Sequence, residues 1–108
     1  MMPDNARTLL GYYEAIAHVS QLMVHAASRA DWNAYEHAHS CCEQLIACLQ
    51  ATGLRPEALD VAGRRRRMEI LRQVLADDRR IRDIAQPGMG RLDRLLNSRH
   101  LAVLEQPA

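Results

Sequence analysis

The chain has 108 residues with 14 arginines, 13 acids, a net charge of +1, 48% apolar and 4% aromatic residues. That is the size and make-up of one small domain whose single core needs no metal or disulfide staple, and a second domain is excluded. There is no lysine and no phenylalanine, and residues 1–54 sum to −3 while residues 55–108 sum to +4, a polarity too mild for a dedicated nucleic-acid binder.

Ala, Leu, Arg, Glu and Gln dominate, β-branched residues are few, and Gly and Pro are absent from long stretches, so an all-α fold is expected: a small antiparallel bundle of three to four helices. A first helix is expected over about 5–27, because Leu9, Tyr13, Ile16, Ser20, Met23 and Ala27 step by four and three along one face. Ser28, Arg29 and Ala30 form a short link, and Asp31 suits the N-cap of a second helix over about 31–52 with Trp32, Tyr35, Cys42, Leu45, Ile46 and Leu49 turned inward. Gly53 suits a left-handed helix end, Pro56 prevents continuation, and 55–63 reads as a loop or loose first turn.

A third helix is expected over about 62–86, stopped or kinked by Pro87, Gly88 and Gly90. A shorter fourth follows over about 88–99, and the tail 100–108 is expected to be flexible. The apolar positions of the third helix sweep roughly 220° of its circumference, about twice an ordinary core stripe. Such a helix needs cover on two sides, either from its own neighbours or from a partner helix laid into an apolar groove.

The candidate chemistry is thin. Arg64 to Arg67 point to four different sides of a helix, whereas Arg65, Arg72 and Arg79 form one row beside Glu69 and Asp83, with no aromatic platform for bases, which leaves a solvated face first and an acidic protein partner second. His37 and Cys41 share a helical face with Cys48 further along, but the paired elements of a structural zinc site are lacking, so no metal or cofactor is expected. Three crowded cysteines read as reduced thiols of the cytoplasm. No secretory leader and no bilayer-spanning stretch is read from the N-terminus or from Ala15 to Ser28. No nucleophile motif, phosphate loop or paired acid site is present, so an enzyme is not expected; Asp78 instead sits one turn from Arg82 as a structural or interface ion pair.

The order of Tyr12 or Tyr13, Ser20, Met23, Ala26 and Ala27, then Asp31-Trp32, then Leu71, Leu75, Asp78, Ile81-Arg82, and finally Pro87, Met89, Leu92 and Leu95-Leu96 resembles the FliT family of flagellar type III export chaperones, over about residues 9–97. The resemblance implies a cytoplasmic helical bundle that binds the C-terminal helical region of the filament-cap protein, keeps it export-competent, and is gated by its own C-terminal helix. It also implies, as in some family members, contacts with the export ATPase complex and the flagellar master regulator; the residues themselves lead us to expect no nucleic-acid partner and no membrane insertion. The partner-binding positions on this reading are Met68, Leu71, Val74, Leu75, Asp78, Ile81 and Arg82, with Met89, Leu92 and Leu95 of the C-terminal segment. The competing reading is a self-associating structural or regulatory bundle, such as a homodimer, without a client.

Overall fold

The computed structural model describes residues 4–85. They form α1 (Asp4–Ser28), α2 (Trp32–Ala51), a 3-10 turn (Pro56–Ala58) and α3 (Val61–Ala85), and there is no strand among the described residues. The expected fourth helix over 88–99 and the tail 100–108 lie outside the described residues.

The turn between α1 and α2 closes as a Schellman motif. The Asp31 N–H donates to the Ala26 carbonyl at 2.9 Å and the Ala30 N–H to the Ala27 carbonyl at 3.0 Å. Ala30 therefore takes φ +55°, a left-handed position that glycine fills without a Cβ clash. Asp31 then caps α2, its Oδ1 accepting from the Ala34 N–H at 3.1 Å.

At the far end of α2 the chain turns on Gly53, whose φ of +65° requires the freedom glycine has. The region expected to be irregular before α3 is more ordered than its composition suggests. Pro56 starts the 3-10 turn, Asp60 Oδ1 accepts from the Gly63 N–H at 2.7 Å, and the Arg64 guanidinium donates to the Leu59 carbonyl at 3.0 Å. Together these drop Leu59, 2% exposed, into the core.

α1 is the central helix. α2 and α3 each pack along it and make no extensive contact with one another. Tyr13 meets Arg67, Ala17 meets Gln73 and Ser20 meets Asp77, so α1 and α3 run in the same direction while α2 runs against α1. Two apolar clusters lie along α1. The first joins Ala6, Leu9, Tyr13 and Ala17 to Leu59 and Ile70, and the second joins Val24 and Ala27 to Ile81. Burying a Leu or Ile side chain fully stabilises by about 2 kcal/mol, so Leu9, Leu59 and Ile70 anchor α3 to α1.

The inward placement expected for the whole apolar face of α2 is not what the structure has. No residue of α2 is buried; Tyr35, Cys42, Leu45 and Leu49 are half-buried, whereas Trp32 and Ile46 are exposed. The physical reason is that, among the described residues, α2 packs mainly on α1, so part of its apolar arc has no neighbour.

Candidate functional site

The outer helices each carry an apolar strip that the described residues leave uncovered. On α3 the strip is Val61, Met68 and Leu75, which are 64%, 43% and 66% exposed. These residues are seven apart, so they stack on one flank at about 10.5 Å intervals. On α2 the strip is Trp32 and Ile46, with Tyr35 between them in phase. The Trp32 and Tyr35 rings meet edge to face at 5.7 Å, and Tyr35 stacks on His39 at 5.9 Å, so the aromatic side chains brace each other along the helix.

The opposite face of α3 is built as an interface. Ser20 donates to Asp77 at 2.8 Å, and Gln73 donates to the Ala17 carbonyl at 3.2 Å and to Asp77 at 3.4 Å, which fixes the register of the two helices with a half-buried polar network. Glu14 receives both arms of the Arg66 guanidinium, and that hydrogen bonding, ahead of plain charge attraction, holds the Glu14 carboxyl below its ordinary value and raises the Arg66 pKa. Arg67 lies over the Tyr13 ring at 5.3 Å and donates to its hydroxyl at 2.9 Å.

Of the positions expected to bind a partner, Met68 and Leu75 lie on the exposed strip. Leu71 and Val74 are half-buried, packed against the first apolar cluster. Ile81 is 6% exposed and belongs to the core with Val24 and Ala27. Asp78 and Arg82 form an exposed ion pair at 2.7 Å that sits beyond Leu75 on the same side of α3. Met89, Leu92 and Leu95 lie outside the described residues. Trp32 and Ile46 are the positions that periodicity misplaces: it assigns them to the core, and only the lack of a helix over that flank among the described residues makes them surface.

The remaining features do not form a reactive centre. A shallow recess of about 400 Å³ is lined by His18, His25, Asp77 and Arg80, but Asp77 is already bonded to Ser20 and Gln73. No group of three or more His, Cys, Asp or Glu that could hold a metal ion exists among the described residues. Cys41 and Cys48 are exposed, while burial, then the neighbouring Cys41 and Glu43, pushes the Cys42 thiol up. No helix among the described residues is long and apolar enough to cross a membrane.

Among the described residues, three helices with a locked central member leave apolar strips uncovered on both outer helices, the kind of surface that protein-binding helical modules present. Comparison with known families makes the class specific: the family model described as "Flagellar protein FliT" matches residues 10–100. The chain belongs to the FliT family, a family of flagellar export chaperones rather than enzymes. No curated protein and no solved structure matches it.

Proposed function

We propose that this chain is a cytoplasmic export chaperone that holds the C-terminal helical region of the filament-cap protein in an apolar helical groove, before export. The observation that carries the reading is the exposed strip of α3, where Met68 and Leu75 stand bare beside the half-buried Leu71 and Val74. An amphipathic client helix laid along that strip gains apolar contact there, while α1 keeps α3 in place from the other side. The Asp78–Arg82 pair at the end of the strip offers a charged stop that helps set the client's register.

On the same reading the C-terminal segment, with Met89, Leu92 and Leu95, covers the groove when no client is present. The export ATPase complex and the flagellar master regulator are the further partners on this reading, which family membership supports only as binding of flagellar export partners in general. Ile81 contributes by fixing the end of α3 against α1 rather than by touching the client.

The test is a calorimetric titration with the filament-cap C-terminal segment, run on the full chain and on a version ending at Pro87 whose helicity has been checked. Micromolar or tighter binding that strengthens on truncation is the expected result, on the order of Kd 1 μM or below. Equal binding by both forms removes the gate and keeps the chaperone. No binding by either folded form overturns the chaperone reading and favours a self-associating bundle, which light scattering over a concentration series then measures.

A further inference from the structure

The arginines of α3 divide into two groups. Arg64, Arg66, Arg67 and Arg82 are held by partners on the chain itself: the Leu59 carbonyl, Glu14 with Glu69, Tyr13 and Asp78 respectively. Arg65, Arg72, Arg79 and Arg80 are exposed and have no hydrogen-bond or ion-pair partner among the described residues; Arg80 lines the recess beside His18 and Asp77, and the other three form a row. Each of the three follows one member of the bare apolar strip by four residues: Val61 then Arg65, Met68 then Arg72, Leu75 then Arg79. Both rows therefore repeat every seven residues and lie side by side on one flank.

An apolar row and a charged row in a shared seven-residue register is the surface a heptad-patterned helix recognises, with the apolar seam packing and the charged edge selecting the partner. We propose that this flank of α3 takes an amphipathic helix of another protein whose apolar seam is edged by a seven-residue row of Asp or Glu. The proposal rests on the reading of the strip as a partner-binding face and names the chemistry of what it binds. Arginine suits that role, because its planar fork grips a carboxylate with two parallel hydrogen bonds.

Charge excludes the nearer candidates. A second copy packed antiparallel on this flank sets the arginine row against itself. A parallel copy in heptad register sets the row against Asp60, Arg67 and Val74; the one carboxylate among them, Asp60, is engaged by the Gly63 N–H at the start of α3. The chain's own residues 86–108 carry only Asp93 and Glu105 as acids, twelve residues apart, so even where that segment lies over the apolar strip it cannot supply a seven-residue acidic row. Nucleic acid is the weaker fit, since α3 has no aromatic residue on which a base could stack.

Two synthetic helices of about 25 residues, the length of α3, test this. They share one Leu/Ile heptad seam and differ only in edge residues, Glu in one and Lys in the other. Anisotropy titrations of the full chain at low salt are expected to give about tenfold tighter binding of the Glu-edged helix. The triple variant Arg65→Glu, Arg72→Glu, Arg79→Glu, checked for unchanged helicity, is expected to reverse that order, and Arg72→Glu alone to shrink the difference. Equal binding of the two helices, a preference that survives the reversal, or a labelled RNA oligonucleotide that outcompetes the Glu-edged helix overturns the proposal. The filament-cap segment titrated in parallel separates the two readings. If it binds and the edge preference is absent, only the acidic-edge proposal falls; if it fails while the preference holds, only the client assignment falls.

Discussion

The two long faces of α3 both carry apolar side chains and meet opposite fates. The inner face packs Ile70 and Ile81 on α1, adds the Ser20–Asp77–Gln73 network and the Glu14–Arg66 pair, and is closed. The outer face carries Val61, Met68 and Leu75, seven residues apart, and meets no helix among the described residues. α2 repeats the contrast in a weaker form, half-buried where it leans on α1 and exposed at Trp32 and Ile46. Among the described residues, then, neighbours and not hydrophobicity decide which apolar side chains are covered.

The contrast is broken most directly by truncating one residue on each face. Ile70→Ala, at a position with 0% exposure, is expected to cost about 3 kcal/mol in urea unfolding, because a cavity is left between α1 and α3. Leu75→Ala is expected to change stability by less than about 0.5 kcal/mol while weakening the filament-cap segment. Equal stability losses for the two would show that α3 is covered on both sides.

Smaller changes sharpen the inner side. Ser20→Ala removes the hydroxyl that donates to half-buried Asp77 and is expected to cost about 1 kcal/mol, read by the same unfolding curves. Ala30→Gly relieves the left-handed alanine between α1 and α2 and is expected to add about 0.5 kcal/mol.

The smallest effect concerns pH. Because Arg66 holds the Glu14 carboxyl below its ordinary value, the stability this contact lends is present above that ordinary value and is lost as pH falls through the lowered one. In Glu14→Gln the acid-side decline of the thermal midpoint is expected to flatten slightly, and less so in high salt, since both side chains are largely solvated.

Much of this architecture is legible in the amino-acid sequence. The steps of four and three through Leu9, Tyr13, Ile16 and Ser20 mark the buried side of α1, and Asp31 and Gly53 mark their helix ends by residue type alone. Leu59 is not legible in the same way: one apolar residue between a Pro-led turn and an acid has no period, and the Pro56 turn, the Asp60 cap and the Arg64 contact together turn it inward. Ala30 carries no glycine to announce a left-handed turn. For the candidate site, the excess apolar arc of α3 is readable, but its division into a locked inner face and a bare outer one is not. Periodicity tells which residues share a side, whereas coverage depends on helices far away in sequence, as Trp32 and Ile46 also demonstrate.

The central claim is that the outer flank of α3 works as a binding face while its inner flank holds the fold. The measurement that meets it head-on is titration of the filament-cap segment into the double variant Met68→Ser, Leu75→Ser of the full chain, with urea unfolding of the same sample. The account predicts affinity lower by at least about tenfold with an unfolding midpoint close to that of the parent chain. Unchanged affinity in a folded variant, or a collapse of stability with both side chains removed, would contradict it.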